Sequence, residues 1–218
     1  MNHHDIHTEG IREVTKLDMQ FAAKLGYTIK LLGITKQVTG KKPGVQVAVY
    51  PALVPCSHVL ANVNQVYNAV FVRGDVVGDS LFYGRGAGKD ATASAVLSDV
   101  ADAALDVKTG ARVRIPPFVA HAKKTRIVPM DEISSPYYVR FTVLDQPGVL
   151  AKVAAIFAAG KIGIASVIQP EGHEGETVPL IFMLHNAPNA AMRKALAKIG
   201  RLPTVKAKPV MFRVENLQ

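Results

Sequence analysis

The stretch Tyr137-Tyr-Val-Arg-Phe-Thr-Val-Leu-Asp-Gln-Pro-Gly-Val-Leu-Ala-Lys-Val-Ala-Ala-Ile-Phe157 decides how the second half of the chain folds. Tyr137 to Leu144 alternates in the manner of a half-buried strand, since successive side chains of a strand point to opposite faces. Asp145-Gln-Pro-Gly148 breaks that period, and Pro147-Gly-Val-Leu-Ala opens a helix to Ala159, proline being tolerated in a first turn. Beyond it, Ile162 to Ile168 reads as a second strand. Val178 to His185 reads as a third, reached across the turn-rich Gly172-His-Glu-Gly175. Pro188 to Ile199 is a second helix stopped at Gly200, and Val205 to Val214 a fourth strand. The order βαββαβ predicts a ferredoxin-like unit over 136–218, with two helices on one face of an antiparallel sheet and one side of each strand buried.

Upstream, Arg112 to Pro136 carries Pro116, Pro117, Pro129 and Pro136 with little helical periodicity, so 112–135 is expected to be a linker and 1–111 a separate unit. In that unit Thr15-Lys-Leu-Asp18 resembles a capping box with Asp in place of Glu, opening a helix through Leu25 that Gly26 stops. Strands are expected at Tyr27 to Ile34, Val45 to Tyr50, Asn68 to Arg73 and Val76 to Tyr83, the last two joined at Gly74-Asp75. Gly84-Arg-Gly-Ala-Gly88 leads into a helix from about Ala91 to Val107, on which Ala93, Val96, Val100, Ala103, Ala104 and Val107 share one face. The class is therefore α+β, with a mixed sheet and helices first and the βαββαβ unit after.

Composition narrows the function classes. The 218 residues are 49% hydrophobic and hold one cysteine, Cys56, which excludes a disulfide framework and a four-cysteine zinc site. No uncharged apolar run of about 18 residues exists to span a membrane, and Met-Asn-His-His-Asp lacks the apolar region of a secretory signal. A cytoplasmic setting is expected. The net charge of +9 is dispersed over Lys41, Lys42, Arg112, Arg114, Lys123, Lys124 and Arg126, then Arg193, Lys194, Lys198 and Arg201. No aromatic residues interleave these cations, so solvated faces explain them better than a nucleic-acid platform, and an anionic small molecule is the second reading. His3, His4 and His7 form no metal set on this reading, and Cys56 beside His58 lacks the orienting acid of a nucleophile pair.

The quoted stretch, with Ile162-Gly-Ile-Ala-Ser-Val-Ile-Gln169, resembles the opening of an ACT domain, and the resemblance covers Ser135 to Glu215. It implies a regulatory module that pairs with a second copy and often binds amino acids. The Asp145-Gln-Pro-Gly148 turn could offer backbone N–H groups to a ligand carboxylate, and Asp145 and Gln169 could receive its ammonium. Asp145, Gly148, Val149 and Gln169 are thus effector candidates, threonine being the candidate ligand. The structural alternative, in which Asp145 caps the helix and Gln169 is an edge polar residue, stands beside it.

The first half resembles homoserine dehydrogenase. Thr8-Glu-Gly-Ile11, Ala22-Ala-Lys-Leu-Gly-Tyr-Thr-Ile-Lys-Leu-Leu32, Tyr50-Pro-Ala-Leu-Val54, Leu60-Ala-Asn-Val63 and Asn68-Ala-Val70 stand in that family's order. The most specific piece is Tyr83-Gly-Arg-Gly-Ala-Gly-Lys-Asp-Ala-Thr-Ala-Ser-Ala-Val-Leu-Ser-Asp99. The resemblance implies the C-terminal segment of the catalytic domain plus an ACT domain, serving NADP- or NAD-dependent interconversion of homoserine and aspartate semialdehyde. It places Gly86, Ala87 and Gly88 near the cofactor, and Glu9 and Gly10 at the entrance to the substrate pocket. It also implies a homo-oligomer formed through ACT and catalytic-domain contacts. No G-x-G-x-x-G follows an N-terminal strand, and Gly84-Arg-Gly-Ala-Gly-Lys89 fits neither that fingerprint nor a P-loop, since Tyr83 and Asp90 fall where Gly and Ser/Thr belong. The family's proton-transfer residues lie upstream of Glu9, so no catalytic residue is assigned in this chain and turnover by the chain alone is not expected. A stand-alone amino-acid-binding or dimerisation module is the rival reading.

Overall fold

A computed structural model describes residues 4, 6–40, 42–110, 125–170 and 175–217. His3, Lys41, most of the expected linker (112–124) and the turn residues Gly172 to Glu174 lie outside them. The chain divides into two compact units, one formed by Met1–Ala61 with Thr125–Gln218 and the other by Asn62–Lys124. This division differs from the one expected at 112–135.

In the first unit the elements are β1 (His7–Thr8), α1 (Lys16–Lys24), β2 (Tyr27–Val38) and β3 (Gly44–Pro55). After the second unit come β6 (Ser134–Leu144), α3 (Val149–Ala159), β7 (Ile164–Ile168), β8 (Thr177–Pro188), α4 (Asn189–Ile199) and β9 (Val210–Val214). The second unit holds β4 (Tyr67–Gly74), β5 (Gly78–Arg85) and α2 (Lys89–Thr109). The strand order β9-β6-β8-β7, antiparallel throughout, is the ferredoxin-like arrangement expected from the quoted stretch. Tyr137, Val139, Phe141 and Val143 point to one face of β6, where they meet Val149, Val153 and Phe157 of α3 and Met192, Ala195 and Ile199 of α4. Phe157 and Phe182 meet edge to face with centroids 5.3 Å apart.

Three features depart from the expectation. First, the sheet does not end at β9. The parallel pairs Ala52↔Arg213 and Leu53↔Val214 join β9 to β3, making one seven-stranded sheet from both halves of the chain. β2 runs antiparallel along β3 from Tyr27↔Pro55 to Val38↔Gly44. The opposite edge of β3 is shared by β9, by β1 and, through a bridge at Val45, by Ile127.

Second, both faces of the ferredoxin-like sheet are covered near β6. Tyr138, Ile181 and Phe212 turn away from α3 and α4, yet they are buried, because Phe21 and Ala22 of α1 pack on them with Leu53. Burying one such apolar side chain contributes roughly 1.5–3 kcal/mol. The face left for solvent in an isolated unit is here the seat of a helix from the first half.

Third, the described end of the expected linker is structured. Val45 N–H donates to Arg126 O and Val128 N–H to Val45 O, both at 2.9 Å, while Val128 and Ile133 are buried. The prolines that exclude a helix there permit an extended edge segment, which needs only alternate backbone donors. At the C-terminal end β9 is shorter than predicted. An isolated bridge, Val205↔Val143, precedes it, and Pro209, lacking an N–H, stands at the interruption.

The capping box is realised. Asp18 N–H donates to Thr15 Oγ1 at 3.3 Å and Thr15 N–H to Asp18 Oδ2 at 3.1 Å. In the second unit, β4 and β5 pair from Tyr67↔Arg85 to Gly74↔Gly78 as a hairpin. The expected apolar stripe of α2 is present, but the helix buries no residue, and Val96, Val100 and Val107 are 54%, 59% and 84% exposed. Val70 and Phe82, opposite each other on the hairpin, are exposed as well.

Candidate functional site

The end of β6 builds a cavity. Asp145 N–H donates to Glu176 O and Gly175 N–H to Asp145 O, which fixes the backbone at the strand end. Gly148 is then the N-cap of α3 in the left-handed region (φ 86), a conformation glycine adopts without Cβ strain. Pro147 therefore precedes the helix cap rather than starting the helix. No side chain caps α3: the Asp145 carboxylate instead accepts a hydrogen bond from Gln169 Nε2 at 2.8 Å. The helix-capping alternative for Asp145 is not what the geometry adopts. Asp145, Gly148, Val149 and Gln169 together line a cavity of about 430 Å³ with Leu150 and Leu180. That volume lies in the range of small-molecule pockets, roughly 300–1,000 Å³. The site juxtaposes a helix N-terminus, a carboxylate and a carboxamide over an apolar floor, the pattern that can receive both ends of a small polar molecule.

Glu9 is held elsewhere. Just after β1, its carboxylate accepts from Arg213 Nη1 at 2.9 Å and Nη2 at 3.0 Å, and pairs with His7 Nε2 at 2.7 Å. Burial pushes the Glu9 carboxyl up, but the hydrogen bonds and charge of Arg213, with those of His7, outweigh it and hold the group below its ordinary range. Arg213 itself is 1% exposed, lies over the Tyr50 ring at 4.5 Å and donates to Asn189 Oδ1 at 2.9 Å. Glu9 is thus bound into an ion pair between β1 and β9, and nothing surrounds Gly10 within 4 Å of a built Cβ.

Two buried carboxylates have long-range partners that sequence reading did not supply. Asp18 accepts from Arg140 Nε at 2.6 Å, Arg140 Nη2 at 3.0 Å and Tyr138 Oη at 3.0 Å. Glu215 accepts from Tyr50 Oη at 2.6 Å and also pairs with Lys36. Only a mixed apolar–charged alternation, such as Tyr138 and Arg140 on one face of β6, hints at them in the sequence.

In the second unit Gly86, Ala87 and Gly88 form the loop between β5 and α2. Gly86 N–H and Ala87 N–H both donate to Val66 O, at 3.1 and 3.3 Å. A Cβ on Gly86 would come within 2.0 Å of Asn68 Nδ2, so a larger residue there must displace the Asn68 side chain. Two donors are therefore spent internally, and these residues do not by themselves compose a phosphate cradle for NADP or NAD. Gly88, at φ 111 with nothing within 4 Å of a built Cβ, leaves the loop open on that side. Cys56 is exposed, and His58 Nδ1 accepts from Leu60 N–H at 3.2 Å. Among the described residues no group of three His, Cys, Asp or Glu could hold a metal ion, and no helix is long and apolar enough to cross a membrane.

Comparison with known proteins connects these observations. The homoserine dehydrogenase family model matches residues 1–101. Homoserine dehydrogenase of Neisseria gonorrhoeae is 39% identical over 220 residues, covering 100% of this chain and 50% of its own length. The Pseudomonas aeruginosa homoserine dehydrogenase is 38% identical over 215 residues, covering 97% and 49%. Among solved structures, a homoserine dehydrogenase from Thiobacillus denitrificans superposes with a TM-score of 0.85 at 36% identity, over 100% of this chain and 49% of that one.

The chain is similar along its whole length to homoserine dehydrogenases.

It spans about half the length of the curated homoserine dehydrogenases it matches, and corresponds to their C-terminal part. The family model ends at 101, inside α2, so the Asp145 cavity lies beyond it while Glu9 and Gly86 to Gly88 lie within it.

Proposed function

We propose that this chain is the C-terminal portion of a homoserine dehydrogenase that interconverts L-homoserine and L-aspartate 4-semialdehyde with NADP or NAD, on the route to threonine and methionine. The observation that carries the reading is likeness over the whole 218 residues to enzymes about twice as long. On this reading 1–111 is catalytic-domain scaffold, 112–135 the connection and 136–218 an ACT domain. The sheet formed by β3 and β9 would then join the first 61 residues of the scaffold to the ACT domain. Gly86, Ala87 and Gly88 approach the cofactor from the open side at Gly88. Glu9 and Gly10 border the substrate side, Glu9 through the strand it anchors.

The chain alone is expected to show no NADP-dependent homoserine oxidation. Fused behind the N-terminal half of the Neisseria gonorrhoeae relative, it is expected to turn over. A folded but inert fusion would sink the reading, and robust turnover by the isolated 218 residues would overturn the claim of incompleteness.

The Asp145 cavity favours a regulatory role in the same protein, with threonine as the candidate effector on Asp145, Gly148, Val149 and Gln169. Calorimetry with threonine tests it, Asp145→Ala being expected to abolish the heat. At a ligand concentration of a hundred times Kd, binding would add about 2.7 kcal/mol of stability. The bare stripe of α2 and the Val70–Phe82 patch favour a homo-oligomer, since exposed apolar patches of this kind mark assembly surfaces. Sedimentation of the fusion is expected to give a dimer or larger. A cytoplasmic setting completes the reading.

A further inference from the structure

A second cavity, of about 420 Å³, is lined by His7, Glu9, Asp131, Asn189, Arg193 and Arg213, all in the first unit. Its charged groups alternate: Glu9 pairs with Arg213, Arg213 with Asn189, Asn189 Nδ2 with Asp131, and Asp131 with Arg193. Two carboxylates and two guanidiniums face one space, so a simple anion and a simple cation are each opposed by a like charge there.

The hydrogen-bonding capacities are not used up. A carboxylate offers about four acceptor sites. Glu9 uses three, for His7 and the two nitrogens of Arg213, and Asp131 uses three, for Asn189 and twice for Arg193. On the donor side, Arg213 Nε is buried with no acceptor among the described residues. Arg193 spends only Nη1, leaving most of its fork open, and its side chain is 67% exposed. Arg213 Nε is enclosed and out of a ligand's reach, so the free donors at the cavity are those of Arg193. The Arg193 and Asn189 hydrogen bonds hold the Asp131 carboxyl below its ordinary range, so both carboxylates are ionised near neutral pH.

We propose that this cavity is a second small-molecule site, for a zwitterion of α-amino-acid type whose carboxylate is received by Arg193 and whose ammonium is received by Glu9 and Asp131. It is distinct from the Asp145 cavity, with which it shares no lining residue.

Met130 and Met211 line the cavity and give a local readout. The full chain, carrying ¹³C-methyl methionine, is titrated with L-homoserine and with its N-acetyl derivative, which lacks the ammonium. The expected result is a saturable shift of the Met130 and Met211 methyl resonances with L-homoserine and a loss of affinity of tenfold or more with the N-acetyl compound. Asp131→Asn and Arg193→Gln, at exposed rim positions, should each weaken binding severalfold, whereas Asp145→Ala should leave it unchanged. No saturable shift at millimolar ligand, equal binding of the N-acetyl derivative, or loss of the shift in Asp145→Ala would each overturn the assignment. Failure of threonine to bind at Asp145 would leave these outcomes unaffected.

Discussion

Removing the Asp18 carboxylate should be the most damaging single change at the junction between α1 and β6. Asp18 is wholly buried and receives Arg140 Nε and Nη2, Tyr138 Oη, and the N–H and hydroxyl of Thr15, at 2.6 to 3.1 Å. In Asp18→Ala the Arg140 guanidinium, with only 10% of its side chain exposed, keeps its charge and loses its counter-ion. Breaking one partner of a buried pair costs about 3–5 kcal/mol, and losing a helix cap about 1 kcal/mol, part of which is the same loss counted twice. We expect about 4 kcal/mol, a large share of the roughly 5–15 kcal/mol that holds a domain together. For a body of this size that lowers Tm by about 8–16 °C. Urea unfolding followed by far-UV circular dichroism measures it. The double variant Asp18→Leu with Arg140→Met removes both charges and should recover most of the loss, as apolar replacement of a buried pair is close to neutral. A cost below about 1 kcal/mol for Asp18→Ala, where exposed pairs lie, or a double variant no better than the single, would refute the reasoning.

The same pair sets an acid limit. Burial pushes the Asp18 carboxyl up, but the Arg140 and Thr15 hydrogen bonds outweigh it and hold the group below its ordinary value. Its contribution is therefore complete above the unfolded value of about 3.9 and is lost as pH falls through the folded one; acid titration of unfolding in wild type and Asp18→Asn should converge there. At the alkaline end burial raises all of Tyr50, Tyr137 and Tyr138, Tyr137 to about 12. Their contribution is whole below about pH 10 and falls as pH rises towards the folded values. Ultraviolet titration should show these three tyrosines ionising only when the chain unfolds. Glu9→Ala leaves Arg213 buried with only Asn189 and the Tyr50 ring, and should cost about 2–3 kcal/mol, less than for Asp18 because Glu9 is 33% exposed; equal urea midpoints would contradict it. Gly86→Ala must displace Asn68 and should destabilise the β4–β5 hairpin by about 1 kcal/mol by an off-rotamer cost, with Asn68→Ala restoring it; amide exchange at Val66 to Val72 reads both effects.

The elements of the ferredoxin-like unit were legible because periodicity is local. A period of two from Tyr137 to Val143 and apolar positions at Val149, Val153 and Phe157 fix strand, helix and inward faces without reference to the rest of the chain. The capping box at Thr15 and Asp18 was legible for the same reason. The Asp145 and Gln169 pair could be anticipated because strand ends bring the turn after β6 next to the end of β7, and the hydrogen bond between them agrees. The ion pair of Glu9 and the extended pairing of the 125–135 segment were not legible for one cause: their partners, Arg213 and Val45, are remote in sequence.

The sequence by itself determined which segments are strands and helices, which residues face inward along each, and where a helix begins, because these follow from dihedral preference and spacing over a few residues. Tertiary structure alone decided that β3 and β9 make one sheet, that α1 covers the second face of β6, that Asp18 and Glu215 are buried counter-ions and that Glu9 pairs with the buried Arg213. Those choices depend on shape and charge complementarity between stretches more than a hundred residues apart, as with Asp18 and Arg140. No local period encodes such a pairing. A buried charge is tolerated only where a distant partner arrives to neutralise it, so the fold, and not the neighbouring sequence, selects which arginine meets which carboxylate.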